Sequence, residues 1–224
     1  MSDKAIKYAD MSGGIFADIP AFASATVKDA RDFPARTEEP VAFIMSGIPG
    51  AGKSSFLKSA AQKGLLPFDA YCLDPDATMK SMPQYRADYA ALGADKAYEL
   101  WELPARKAAY DGFEAAIASR RHVVIDMACA RAENLDMVTR LAQAGYYTRM
   151  VRIDCDVDTA YARAVKRDRP MPKARIVERA AGIAALEADF RALVDEYHIL
   201  DNADSARPYR LVASHMRKVD PLSA

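Results

Sequence analysis

Eight residues, Gly47-Ile48-Pro49-Gly50-Ala51-Gly52-Lys53-Ser54, constrain this chain more than any other stretch. They satisfy the pattern G-x-x-x-x-G-K-[ST] at every position, and the flanks suit it. Val41-Ala42-Phe43-Ile44-Met45 is a short unbroken apolar run, as a buried parallel strand requires. Ser55 to Ala61 reads as helix, stopped near Gly64 and Pro67. The glycines let successive backbone N–H groups turn inward and form a concave anion nest. The dipole of the following helix points its positive end at the same anion. Lys53 can reach outer phosphates as a point charge, and the Ser54 hydroxyl can ligate Mg²⁺. A strand, a nest and a helix in this order predict a nucleotide-binding loop.

The rest of the chain repeats the strand-then-helix rhythm. Phe68 to Leu73, His122 to Asp126, Tyr147 to Ile153, Tyr197 to Leu200 and Tyr209 to Val212 read as further strands. Between them, Ala77 to Leu103 is mostly helical, with Pro83 and Pro104 as breaks. Ala105, Ala109, Phe113 and Ile117 recur at four-residue steps and mark the next helix. Ala132 to Ala144 forms another, stopped by Gly145. Asp158 is placed to cap a helix running to about Arg167, and Lys173 to Glu196 is a long helical stretch. Such alternation predicts an α/β doubly wound parallel sheet, with helices on both faces. The expected division is a helical leader over 1–40, in which Asp18-Ile19-Pro20 caps and opens a helix through about Phe33, and one loop-bearing domain over 41–224.

Composition narrows the function classes. The chain has 31 basic and 31 acidic residues, a formal net charge of zero. That balance argues against a general nucleic-acid or membrane-surface binder. The three cysteines, Cys72, Cys129 and Cys155, have neither zinc-ligand spacing nor a disulfide framework. Met1 to Lys7 lacks the apolar core of a signal peptide, and no apolar run is long enough to span a bilayer. The expectation is a cytoplasmic protein with no membrane partner.

Phosphoryl transfer needs a carboxylate to take the acceptor proton, a carboxylate near the metal, and cations for the moving charge. Asp74 and Asp76 flank a rigid proline where a strand ends, the edge at which open parallel sheets bind ligands. Either can serve the first role. Asp126 closes a Val-Val-Ile strand, where magnesium or its water shell is held. Arg163 and Arg167 are four apart, hence on one helix face, and Arg169 follows in the stiff loop Asp168-Arg169-Pro170. Their guanidinium forks suit phosphate oxygens, on a loop able to close as a lid. No convincing guanine-reading motif is present, so ATP is the expected nucleotide.

These segments together resemble the zeta-toxin family of P-loop kinases over roughly Val41 to Val212. GIPGAGKSS resembles its Walker loop, which extends the implied ATP-binding set from Gly47, Pro49, Gly50, Ala51, Gly52, Lys53 and Ser54 to Ser55. YCLDPDATMKSMPQY resembles its D-x-D segment, in which the second aspartate is the general base; that role passes to Asp76, with Asp74 beside the substrate. DTAYARAVKRDRPMP resembles its arginine-bearing helix and lid, implying phosphate contacts from Arg163 and Arg169, with Arg167 nearby. AQAGYYTRMVRIDCD and YHILDNAD resemble its helix-to-strand step and its late strand. RRHVVIDMACAR resembles a strand end that contacts substrate, but with departures. The family acid there is usually Glu, and here it is Asp126. Met127-Ala128 replaces the Gly-Thr that normally follows, and Arg131 stands one residue away from the family's substrate arginine. All three changes fall on the acceptor side.

The resemblance implies an ATP- and Mg²⁺-dependent kinase of a small acceptor hydroxyl, with UDP-N-acetylglucosamine as the family's acceptor and an antitoxin protein as a partner. Two rival readings share the loop. One is a nucleic-acid 5′-hydroxyl kinase, which the charge balance disfavours. The other is a module that binds ATP to set a conformation, with little chemistry.

Overall fold

The computed structural model describes residues 40–66, 69–167, 170–204, 206 and 208–217. Apart from Pro40, the expected leader lies outside them. One six-stranded sheet organises the described residues, in the order β2-β3-β1-β4-β5-β6. The strands are β1 (Val41–Ser46), β2 (Tyr71–Leu73), β3 (Val123–Asp126), β4 (Tyr147–Asp154), β5 (Glu196–Asp201) and β6 (Arg210–Met216). β1 to β5 are parallel; β6 pairs antiparallel with β5. As an edge strand, β6 alternates exposed Arg210, Val212 and Ser214 with half-buried Leu211 and Ala213.

The described helices are α1 (Lys53–Gln62), α2 (Pro75–Ser81), α3 (Pro83–Leu92), α4 (Ala94–Ala118), α5 (Ala132–Gln143), α6 (Val157–Ala164) and α7 (Lys173–Leu193). The period-two alternation of β1 sorts them into two layers. Phe43 and Met45 pack with Phe56, Leu57 and Ala60 of α1, Ala160 and Ala164 of α6, and Ile176 and Ile183 of α7. Ala42 and Ile44 face the other way, onto Ala109 and Phe113 of α4 and Val138 and Leu141 of α5. β1 is buried at all six positions. A third, smaller cluster of Met79, Tyr85, Ala97 and Ala105 holds α2, α3 and α4 together beside the main layers.

Three expectations need correction. Pro104 does not break its segment: α4 runs through it for 25 residues. Pro104 is exposed, so the carbonyl it frees one turn back can bind water, while buried Ala97 and Ala105 anchor the inner face. The cap of α6 is Asp156, whose carboxylate accepts from Thr159 N–H at 2.8 Å. Asp158 instead sits in the first turn and pairs with Lys173. Finally, α6 ends at Ala164, so Arg167 lies past the helix and does not extend the face that carries Arg163.

The amino ends of β4 and β5 hold a buried polar cluster. The Arg149 guanidinium donates to both Glu196 oxygens, at 2.5 and 2.8 Å. Tyr147 Oη donates to the same carboxylate at 2.6 Å, and His198 Nε2 lies 3.0 Å from it. Burial pushes the Glu196 carboxyl up, but its hydrogen bonds to His198 and Arg149, the Arg149 charge and the Tyr147 hydroxyl outweigh that and hold it at about 2. This cluster is at the opposite edge of the sheet from the glycine-rich loop. Glu196→Ala would strand a buried guanidinium and is expected to cost about 3–5 kcal/mol in urea unfolding. Because the folded-state value is depressed, the carboxylate's contribution is complete above about pH 4.3, the ordinary glutamate value. It is lost as pH falls from there through about 2. A wild-type stability profile flat across that interval would contradict this assignment.

Candidate active site

The site forms where β1 hands over to α1. Strand order reverses around β1, with β3 on one side and β4 on the other, which opens a crevice at the carboxyl edge. The turn across it needs left-handed backbone at Gly50 (φ 91°) and Gly52 (φ 105°). Neither position has room for a side chain. A Cβ on Gly50 would sit 2.1 Å from the Ala160 carbonyl oxygen, and one on Gly52 would sit 2.4 Å from Asn202 Nδ2.

Two carbonyls of this turn are held outward. Asn202 Nδ2 donates to Ala51 O at 2.7 Å, and Tyr209 Oη donates to Gly52 O at 3.0 Å. Gly52 O also accepts the first helical bond from Phe56 N–H at 2.9 Å, the Ala51 N–H is taken by Ile48 O at 3.1 Å and the Gly47 N–H by Ala128 O at 3.2 Å, so the other amides of the turn are those available to line its concave side. Tyr209 is buried, meets Phe56 edge to face with ring centres 5.4 Å apart, and has φ 58°. A bulky residue in that region is strained and must be held by its contacts. Arg163 Nη1 donates to Asn202 O at 2.9 Å, which ties α6 to the same clamp. Pattern reading missed Tyr209 as a member of this site. It lies 157 residues from Gly52 in sequence and belongs to no motif.

Inside the turn, Lys53 Nζ donates to Gly47 O at 2.7 Å and Ile48 O at 3.3 Å. Burial lowers its pKa from the usual lysine value; Asp126 opposes that shift and Arg167 adds to it. Arg167 is therefore close enough to act on the ammonium. Ser54 Oγ donates to Asp126 Oδ2 at 2.8 Å. Asp126 is aligned with Met45 across the β1–β3 pair, so the loop serine and the strand-end acid meet at one edge.

Asp74 follows β2 and caps α2, accepting from Ala77 N–H at 2.9 Å, with Pro75 at the first helical position. Burial, chiefly, raises its carboxyl to about 6; the charges of Asp126 and Asp76 add to the rise, and the Ala77 hydrogen bond opposes it. Asp76 lies in the first turn of α2, exposed. Arg131 is the cap residue of α5, exposed, with its backbone N–H on Asn134 Oδ1 at 3.1 Å. Arg169 lies outside the described residues. Among the rest, Ser54 bonds Asp126, and the charges of Asp126, Arg167 and Asp74 all act on Lys53.

The hydroxyl and carboxylate of Ser54 and Asp126 are hard oxygen donors 2.8 Å apart, a pair that fits Mg²⁺. Among the described residues no group of three or more His, Cys, Asp or Glu side chains could cage a metal unaided. No described helix is long and apolar enough to cross a membrane.

A parallel sheet, a phosphate nest and a strand-end acid on the loop serine together define a P-loop kinase architecture. The chain belongs to the zeta toxin family, whose model matches residues 24–213. It is thus an ATP-dependent kinase. Its fold is similar to that of a chain from the PezAT chromosomal toxin–antitoxin system of Streptococcus pneumoniae (TM-score 0.62, 15% identity, covering 87% of this chain and 79% of that one). It is also similar to a chain of the AvrRxo1-ORF1:-ORF2 complex with ATP (TM-score 0.59, 16% identity, 84% of this chain and 61% of that one). A chain of the Pnkp1/Rnl/Hen1 RNA repair complex follows (TM-score 0.50, 14% identity, 82% and 51%). At these identities the likeness is one of fold. Among curated proteins, none matches the sequence.

The clamp gives a direct test. Tyr209→Phe removes the hydroxyl that binds Gly52 O and keeps the ring against Phe56. It is expected to weaken ATP binding by roughly 5-fold, about 1 kcal/mol, with the melting temperature little changed. Equal ATP affinity in the variant, read by calorimetry, would mean the hydroxyl does not hold the nest.

Proposed function

We propose that this kinase transfers the γ-phosphoryl group of ATP to a hydroxyl of a small acceptor, a nucleotide sugar such as UDP-N-acetylglucosamine. The observation that carries the reading is the division of labour between two neighbouring acids. Asp74 is engaged as a helix cap and partly buried, while Asp76 is exposed beside it on the same edge as Lys53. An exposed carboxylate at the ligand-binding edge, not engaged as a cap, is placed to take a proton from an acceptor hydroxyl.

In this reading Asp76 accepts the proton of the acceptor hydroxyl. The hydroxyl oxygen then forms a bond to the γ-phosphorus as the bond to the β-bridging oxygen breaks, and ADP departs with that electron pair. Lys53 leaves the Gly47 and Ile48 carbonyls for the phosphate oxygens. Arg163, Arg167 and Arg169 offset charge on the moving group from the lid side, and the N–H groups from Gly47 to Ser55 hold the rest of the triphosphate. Ser54 and Asp126 would hold Mg²⁺, which would supply charge neutralisation to the transferring phosphates. Asp74, Asp126 and Arg131 face the acceptor. Met127-Ala128 offers no hydroxyl there, so acceptor recognition rests more heavily on charged groups.

The printed descriptions of the pneumococcal and AvrRxo1 structures name a toxin–antitoxin system and a two-component complex. On that basis we take a neutralising antitoxin to be a partner of this chain.

Asp76→Asn is expected to lower the rate of phosphoryl transfer by about 10²–10⁴-fold while ATP affinity stays within about 2-fold. The assay is mass spectrometry of UDP-N-acetylglucosamine, oligonucleotide ends and a metabolite extract after incubation with ATP and magnesium. Undiminished transfer in the variant would remove Asp76 from the base role. Phosphorylation confined to oligonucleotide ends would replace the small acceptor with a nucleic acid, and ADP release with no phosphorylated product would point to the binding-module reading.

A further inference from the structure

The hydrogen bonds of the buried cluster on β4 and β5 continue from Glu196 to the protein surface. His198 Nε2 lies 3.0 Å from Glu196 Oε2, and His198 Nδ1 lies 3.0 Å from Ser214 Oγ. The Glu196 carboxylate also accepts from Arg149 and Tyr147, which fix it in place. A carboxylate only accepts, so in the neutral imidazole Nε2 carries the proton and Nδ1 is left to accept from the Ser214 hydroxyl. Glu196 and His198 are 1% and 8% exposed, whereas Ser214 is exposed. A surface hydroxyl thus rests on a base, and a buried acid sets the tautomer and ring orientation of that base. Nucleophile, base and orienting acid in hydrogen-bond reach of one another are the parts of an activated serine.

Strand pairing supplies a further part. Ser214 lies directly opposite His198 in the antiparallel β5–β6 pair. Arg217 N–H donates to Asp195 O at 2.8 Å, and antiparallel strands alternate hydrogen-bonded with non-hydrogen-bonded pairs. Along the same register the Ala213 and His215 N–H groups therefore point toward β5, and the Ser214 N–H points away from it. Ser214 and His198 form a non-hydrogen-bonded pair, the kind that brings side chains closest. β6 is the last strand of the sheet among the described residues, so the Ser214 amide faces its free edge. That amide is a donor for the oxyanion that forms when Oγ of the same residue attacks a carbonyl. Val212 and Met216 lie two residues to either side on the same strand face, 57% and 41% exposed. They offer a shallow apolar rim for a short acyl chain. None of these groups has a part in the kinase reaction.

We propose that Ser214 and His198, with Glu196 as positioning residue, form a second catalytic site that hydrolyses short-chain carboxylic esters. Ser214 Oγ bonds to the ester carbonyl carbon as its proton passes to His198 Nδ1, and the resulting oxyanion takes the Ser214 N–H. Collapse breaks the bond to the leaving oxygen, which receives the proton from His198 and departs as the alcohol. Water then attacks the acyl-serine and gives a proton to His198. Collapse of that second intermediate frees the carboxylic acid and returns the proton to Ser214 Oγ. Water is the only co-reactant.

The test uses the full chain and two probes, a fluorophosphonate carrying a fluorophore and the p-nitrophenyl esters of acetate and butyrate. Wild-type protein is expected to take the fluorophosphonate at Ser214, mapped by peptide mass spectrometry, and to release p-nitrophenolate in a burst followed by slower turnover. Ser214→Ala should lose the label outright and lower ester turnover by about 10²-fold or more. Ser214 is exposed, so this variant is expected to keep the wild-type melting temperature and ATP affinity. His198→Asn should slow labelling by about 10²-fold, with part of the rate restored by added imidazole. Glu196→Gln should lower kcat with KM little changed, and Glu196→Asp should recover part of the loss. Lys53→Ala should label at the wild-type rate, which separates this site from the phosphate loop. Absence of label on the wild-type protein, or labelling and ester turnover unchanged in Ser214→Ala, would overturn the proposal and leave this line of hydrogen bonds a structural one.

Discussion

Two outward-facing carbonyls govern the carboxyl edge of this sheet. Ala51 O and Gly52 O are taken by Asn202 and Tyr209. Gly52 O also accepts the first helical bond from Phe56 N–H at 2.9 Å, so the clamp fixes the loop to the start of α1. The clamp draws its parts from the end of β5 and the start of β6, far from the loop in sequence. It also reaches α6 through Arg163 on Asn202 O. The nest, the late strands and the arginine-bearing helix are thereby one mechanical unit, and the strained backbone of Tyr209 is the cost of its geometry.

The acids along the edge follow from the same sheet. Parallel pairing places the ends of β1, β2 and β3 side by side, so Asp74, Asp126 and the loop serine converge without any further device. Their proximity separates their roles. Asp126 takes the Ser54 hydroxyl, Asp74 caps α2 and is pushed up to about 6, and Asp76 stays exposed, which is why we propose it for proton transfer. The acceptor side is built differently. At Met127-Ala128 it lacks the family's Gly-Thr, and Arg131, the cap residue of α5, is exposed a few residues on.

Much of this was legible in the sequence because the relevant signals are local. The loop pattern, its apolar strand and the acids at strand ends sit within a few residues of one another, so all six strands and the ligand-bearing edge could be read from pattern. What could not be read depends on tertiary context. Pro104 carries a break signal, yet α4 continues because that proline faces solvent. Asp156 and Asp158 are equally good caps on paper, and only the chain's path selects Asp156. The direction of β6, the part played by Tyr209 and the meeting of α7 with the Ala130 carbonyl are contacts between distant segments, set by packing. A family resemblance pointed to Asp76 over Asp74, which spacing alone left open.

The central claim is that backbone amides between β1 and α1, with the Lys53 ammonium, hold a nucleoside triphosphate where phosphoryl transfer can occur. Calorimetric titration of magnesium–ATP into the full chain and into Lys53→Ala tests it most directly. The account predicts one-to-one, magnesium-dependent binding to the wild-type protein that weakens by about 10-fold or more in the variant. Heats indistinguishable between the two proteins, or no binding to either, would contradict it.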